Sequence, residues 1–211
     1  MKFRKLLKIT SRTSSITNSF VQAILPSFPP TLGERSEALT VLGMSEESIS
    51  CVYCGSPATD WDHLRPLVRN KQPTGYINEM KNLVPSCGPC NQSKSGNDWR
   101  AWMLSAAIGS PATKKVADIA ERIDRLEKFV AWGDVKPLPL RELAGPDRWD
   151  TYWKHLSAIE KAMIAAQHEA LGVQAAISKA LNDKIGQGSQ ASSQSKTLTP
   201  TVRTGSNTAK A

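Results

Sequence analysis

Apolar residues along this chain fall into short groups whose spacing switches between helical and strand-like. Phe20, Val21, Ala23, Ile24 and Leu25 form an apolar patch among Ser and Thr residues, broken at Pro26 and Pro29-Pro30, which predicts a short helix and a turn. Glu34 to Leu42 reads as another helix, ended by Gly43, and Ser45-Glu46-Glu47 as a capped turn. Residues 51–91 are turn-rich, with two strand-like pieces, Ala58 to His63 and Leu83 to Ser86. After Asn91 a helical stretch passes through Trp99, Trp102, Met103 and Leu104 and stops near Gly109-Ser110-Pro111. Val116, Ile119, Ile123, Leu126 and Val130 then recur at three- and four-residue steps with charges between them, the signature of an amphipathic helix. Lys136 to Leu140 is a linker with two prolines. Trp149, Trp153, Leu156, Ile159 and Met163 predict a further amphipathic helix to about Leu181, suited to helix packing or dimerisation.

These elements divide the chain into a basic helical arm (1–44), a central compact segment (45–110), a helical region (111–183) and a tail (184–211). From Gly186 onward the tail is Gly, Ser, Gln, Thr and Lys with almost no core-forming residue, which predicts disorder. The 211 residues suffice for one ordinary domain with appendages, or for two small ones. No run of eighteen apolar residues occurs, so no membrane span is expected. Met1 to Thr10 lacks the continuous apolar stretch and small-residue cleavage site of a secretory signal, so a cytoplasmic protein is expected. The Arg/Ser-rich, acid-free start leaves an organellar transit peptide as the other reading.

Charge changes this picture through its placement. The net +8 comes from the ends: Lys2, Arg4, Lys5, Lys8 and Arg12 at one, Lys184, Lys196, Arg203 and Lys210 at the other, with no acid within residues 1–33 or 184–211. The middle is close to neutral, because all 19 acids lie there. Basic arms suit attraction to a phosphate backbone, and equally suit solubility alone. Locally, Arg65, Arg69, Lys71, Lys81, Lys94 and Arg100 face only Glu79 and Asp98 within residues 64–100. That excess fits phosphate binding as well as it fits a solvated loop.

All four cysteines lie in two CxxC pairs, Cys51/Cys54 and Cys87/Cys90. Two such knuckles without a secretion signal point to metal rather than disulfides, and four thiolates make the closed tetrahedral shell of structural zinc. In a segment with few large apolar residues, bound metal contributes folding energy that a core cannot. This reading alone fits a binding module as well as an enzyme.

Between and beside the pairs stand Thr59-Asp60-Trp61-Asp62-His63-Leu64-Arg65-Pro66-Leu67, Asn82-Leu83-Val84-Pro85 and Cys90-Asn91-Gln92-Ser93-Lys94. In this order the motifs resemble the HNH endonuclease family, whose zinc-containing members carry paired cysteines, an Asp-His, an Asn before a short strand, and a Cys-Asn or Cys-His opening a helix. The resemblance spans Cys51 to about Trp99. It implies an α+β fold: a mostly helical chain with a central ββα-metal motif stabilised by the four-cysteine zinc site. It further implies that His63 is a general base, that Asp62 and Asn91 ligate a catalytic divalent ion, and that Asn82 holds the loop orienting His63. Where many members have histidine on the final helix, this chain has Asn91.

The implied chemistry is coherent. Phosphodiester hydrolysis needs an activated water and a cation near the phosphate. A carboxylate and an amide oxygen are hard ligands that match Mg²⁺ or Mn²⁺. A histidine accepts a proton near neutral pH without large tuning. Lys94, with Arg65 and Arg69, is the expected phosphate contact. Each residue also has a plainer role: His63 hydrogen-bonded in the structure, Asp60 on the surface, Asn82 and Asn91 as caps, Trp99 and Trp102 in the core. The expected protein is a metal-dependent DNA endonuclease of a restriction, defence or mobile-element setting, with a homodimer through the C-terminal helix as a further expectation. A non-catalytic zinc-containing nucleic-acid-binding module, an RNA-cutting nuclease and a helical interaction scaffold are the other readings.

Overall fold

The computed structural model describes residues 6–194. Lys2, Arg4 and Lys5 at one end, and Lys196, Arg203 and Lys210 at the other, lie outside them, as does the expected tail beyond residue 194.

The element order is α1 (Thr13–Ile24), α2 (Leu32–Val41), β1 (Asp60–His63), β2 (Val68–Arg69), β3 (Gln72–Pro73), β4 (Leu83–Ser86), α3 (Gly88–Lys94), α4 (Trp99–Met103), α5 (Ile119–Gly133), α6 (Leu140–Ala144) and α7 (Pro146–Gln194). Helix predominates over two small antiparallel sheets, so the chain is α+β as expected. It divides into two compact units: Ser11–Glu160, and Met1–Thr10 with Lys161–Ala211.

Within the larger unit β1 and β4 form the central hairpin, with Asp60 opposite Ser86, Asp62 opposite Val84 and His63 opposite Leu83. Residues 64–82 cross between them and carry the β2–β3 ribbon. Strand β4 is buried along its whole length, whereas β1 alternates, burying Asp62 while Asp60 stays exposed. α3 follows β4 at once, with Cys87 as its N-cap residue and Pro at its first turn. The expected helix from Asn91 to Leu104 is two helices. Ser95 takes φ +49° and closes α3, and Asp98 then caps α4 by accepting from Ala101 N at 2.9 Å.

α2 begins at Leu32, ahead of the expected Glu34, because Thr31 and Glu34 form a capping box. Thr31 Oγ1 accepts from Glu34 N at 3.2 Å, and Glu34 Oε2 accepts from Thr31 N at 2.8 Å. α5 begins at Ile119 and ends with Asp134 in the left-handed region, φ +43°. Gly133 lets this helix approach the turn Met80–Asn82, since a Cβ there would lie 2.9 Å from Lys81 O. Ala38 of α2 and Leu42 at its C-cap, Trp99, Trp102 and Met103 around α4, and Ile123, Leu126 and Phe129 of α5 share one core with Tyr53, Leu64, Leu83 and Val84. Helices on both sides of the 51–97 segment thus complete its core. The proline linker gives way to α6 at Leu140, and α7 continues past Leu181 into the segment expected to be disordered.

In the smaller unit Ile9 N donates to Gln167 Oε1 at 2.7 Å. Along α7 Ile164, Leu171, Ile177 and Leu181 are exposed. No helix among the described residues is long and apolar enough to cross a membrane.

Candidate active site and metal centre

The cysteine knuckles meet as their spacing predicts. The four sulfurs lie within 4.8 Å of one another, and Cys54 Sγ is 3.7 Å from Cys87 Sγ. Tetrahedral zinc with Zn–S bonds of about 2.3 Å requires sulfurs about 3.8 Å apart, so the donor set and its size fit that ion. Cys51, Cys87 and Cys90 are buried, while Cys54 is half-buried. Hydrogen bonding to Cys90 holds the Cys51 thiol down to about 5, and the same contact pushes Cys90 up. Lys114 Nζ donates to Cys90 Sγ at 3.4 Å, and Arg122 Nη1 donates to the carbonyls of Cys51 and Val52 at 3.3 and 3.2 Å. Two cations therefore face this centre, as a cluster of thiolates favours.

One strand pairing away, β1 presents Asp62 inward and His63 toward a cleft of about 400 Å³. The cleft is lined by Asp62, His63 and Asn91, by Ser14, Thr17, Asn18 and Gln22 of α1, and by Lys71, Ser95 and Gly96 among others. Three of the four expected catalytic residues thus share one cavity. A carboxylate and an amide among its lining residues are of the ligand types that suit a hard divalent ion.

Asn82, the fourth, stands behind the cleft, fully buried. Its Oδ1 accepts from Arg65 N at 2.9 Å, its Nδ2 donates to Arg65 O at 3.0 Å and Ile77 O at 3.3 Å, and its backbone carbonyl accepts from Leu64 N at 2.8 Å. These bonds fasten both ends of the crossing segment immediately after His63.

His63 Nε2 lies 3.0 Å from Asn78 Oδ1. The Asn78 amide also donates from Nδ2 to Ser27 Oγ at 2.7 Å, and with its Oδ1 toward the ring the matching tautomer donates from Nε2 and leaves the lone pair on Nδ1. Burial lowers the His63 pKa below 6.5, against opposing pulls from Asn78 and Asp62. The imidazole is therefore neutral at pH 7 and able to accept a proton. Sequence reading missed Asn78, because a lone Asn in a turn carries no spacing signal. Only the fold brings it across to His63.

Lys94 corrects an expectation. It is not a surface phosphate contact but is wholly buried. Its Nζ lies 3.0 Å from Asp62 Oδ2 and 3.2 Å from Oδ1, and donates to His63 O at 2.9 Å. At three residues beyond Asn91 it falls on the face of α3 turned toward β1 rather than toward solvent. Burial lowers its pKa, opposed by the Asp62 charge. Tyr53, also buried, donates from its hydroxyl to Asp62 Oδ2 at 2.6 Å, its own pKa raised first by burial and then by Asp62. Both carboxylate oxygens are therefore partnered within the protein.

Arg65 and Arg69 line a neighbouring groove with Tyr76, Asp98 and Trp99, not the cleft of His63. The Arg65 guanidinium sits 5.4 Å from the Tyr76 ring centroid, and Arg69 is exposed on β2. Trp99 and Trp102 are core residues, and exposed Asp60 accepts from Thr59 Oγ1 at 2.8 Å.

Comparison with known proteins agrees with this geometry. Residues 51–97 match the family model described as HNH endonuclease. The chain is 28% identical over 88 residues to the CRISPR-associated endonuclease Cas9 of Corynebacterium diphtheriae. That alignment covers 40% of this chain and 8% of the relative, so the chain spans a small part of the protein it matches. No solved structure matches it. With the paired cysteines gathered into one cluster and Asp62-His63 on a strand beside them, residues 51–97 are similar in sequence and layout to an HNH endonuclease domain.

Proposed function

We propose that this protein is an endonuclease that hydrolyses DNA phosphodiester bonds with a divalent cation, Mg²⁺ or Mn²⁺, and holds zinc on Cys51, Cys54, Cys87 and Cys90 for structure. The carrying observation is the convergence of Asp62, His63 and Asn91 on one cleft, beside a cysteine cluster of zinc dimensions. In this reading His63 Nδ1 takes a proton from water attacking the phosphorus, and Asn78 and Asn82 fix the ring and the segment that follows it. Asp62 and Asn91 would hold the divalent ion, which offsets charge on the phosphate and the leaving oxygen. Lys71, at the cleft rim and ion-paired with Glu160 at 3.1 Å, becomes the nearer cation for a phosphate, in place of Lys94.

The test is cleavage of plasmid DNA with each metal, with and without EDTA. His63→Ala should end cutting while zinc content and thermal unfolding stay at wild-type values. Cutting by that variant at the wild-type rate overturns the assignment. One observation favours a second reading, a non-catalytic zinc-containing module that binds nucleic acid: Lys94 and Tyr53 already occupy both oxygens of Asp62. The same assay separates the two, since a module shifts DNA mobility without cutting. The proposal places the protein in the cytoplasm, in a restriction, defence or mobile-element setting. It extends to a homodimer through α7, whose Ile164, Leu171, Ile177 and Leu181 are exposed. Sedimentation showing only monomer at micromolar concentration removes the dimer.

A further inference from the structure

One wall of the His63 cleft comes from outside the HNH domain. α1 contributes Ser14, Thr17, Asn18 and Gln22 to the cavity that holds Asp62, His63 and Asn91. Ser14, Asn18 and Gln22 follow at four-residue steps and so run along one face of the helix. All three are exposed, whereas Thr17 and Val21 are buried and seat the helix. The Phe20 ring lies 5.1 Å from that of Tyr152, and Tyr152 donates from its hydroxyl to Phe20 O at 2.9 Å.

The segment leaving α1 is fastened to the site itself. Phe28 N donates to Asn78 O at 2.9 Å and Ser27 Oγ accepts from Asn78 Nδ2 at 2.7 Å, on the same Asn78 that meets His63. The wall is therefore held in register with the reacting group.

Its chemistry is specific. From Thr13 to Ile24 the helix has no charged side chain, although the chain is basic overall. A wall meant to hold phosphate by charge would carry Lys or Arg. Amides at two successive turns instead offer donor and acceptor together, the pairing that meets adenine N6 and N7 and tells it from other bases. Among the described residues the side chains of Asn18 and Gln22 make no hydrogen bond that would use up those groups, and both line the cavity.

We propose that α1 is a specificity element: Asn18 and Gln22 contact base edges of the nucleotides flanking the scissile phosphate and favour adenine there, with Ser14 extending the row. This rests on the nuclease reading above. Phosphate attraction is left to the cations outside the helix, and base choice to its uncharged face.

The experiment is cleavage of a randomised DNA library by the full chain, with sequencing of the cut ends. Wild type is compared with Asn18→Ala, Gln22→Ala and the double variant. Alanine at exposed helix positions keeps the helix, so zinc content and thermal midpoint should match wild type. Wild type should favour adenine at fixed offsets from the cut. Each single variant should lose about ten-fold of the preference at one offset, as expected for one lost bidentate contact. The double variant should lose it at both. Ends with no base bias from wild type, or the same bias from wild type and both variants, overturn the role of α1 and leave the nuclease reading standing. Absence of any cutting by wild type overturns both.

Discussion

Replacing Lys94 with Met would test whether the buried pair beneath the cleft is structural. The substitution keeps the length of the aliphatic stem and removes the ammonium, along with its contacts at 3.0 and 3.2 Å to Asp62 and 2.9 Å to His63 O. The partners' side chains are 0% and 6% exposed, so solvent screens them little. At an effective dielectric near 20, unit charges about 3 Å apart attract by roughly 5 kcal/mol, most of it offset by the cost of taking both ions from water. Removing one partner leaves the other charged and buried, and that costs about 3–5 kcal/mol. In a chain of this size each kcal/mol lowers the melting midpoint by about 2–4 °C, so a fall on the order of 10 °C is expected. Urea unfolding of the zinc-loaded protein measures the free-energy change, and a double-mutant cycle isolates the pair. Lys94→Met with Asp62→Asn should be more stable than Lys94→Met alone, because the second change removes the stranded charge. A loss under about 1 kcal/mol from Lys94→Met, or a double variant worse than the sum of the singles, would refute the buried-pair account.

Other outcomes follow from the same contacts. Because burial holds His63 below 6.5, the cutting rate should stay on its plateau down to about pH 6.5 and fall only below it, as measured by initial rates across pH. The sign for stability is the same: the unfolded chain binds this proton more readily, so the fold weakens as pH falls through about 6.5. Asn78→Ala should cut on the order of 10–100-fold more slowly with zinc retained, as for other partners that orient a histidine; an unchanged rate would remove Asn78 from the site. Chelation of zinc, or Cys87→Ser, should unfold the 51–97 segment, read as lost helical circular dichroism. Asn82→Ala should cost about 1–3 kcal/mol in urea unfolding, because Arg65 N, Arg65 O and Ile77 O lose their side-chain partner.

The four-cysteine cluster was legible because a CxxC pair is a local device: two residues of spacer are enough to turn both thiols the same way, and only one long-range approach remains to be supplied. Asp62-His63 and the strand Leu83–Ser86 were legible for a similar reason, each being a short motif on its own strand. The start of α2 was equally local, and Thr31-Leu32-Gly33-Glu34 carried the capping signal, although the apolar pattern pointed to Glu34. Lys94 could not be read correctly. Sequence makes a lysine a surface charge, and only the approach of α3 to β1 supplies the carboxylate that lets it be buried. The contacts of Asn78 were hidden for the same reason, since they reach far along the chain, to His63 and Ser27, where no periodicity encodes them. The break after Lys94 depends on Ser95 in a backbone region that non-glycine residues seldom occupy, so no composition signal marked it.

The sharing of one core by α2, the hairpin, α4 and α5 bears on how the 51–97 segment can be reused. Family boundaries at 51 and 97 cut through that core and would strip Ala38, Leu42, Ile123, Leu126 and Phe129 from the apolar groups they cover. They would also detach Ser27 from Asn78. A fusion partner or a minimal cutting cassette should therefore be taken from the compact stretch Ser11–Glu160 and not from the motif alone. The motif holds the cysteine cluster and Asp62-His63, but the transplantable part is the fold around it.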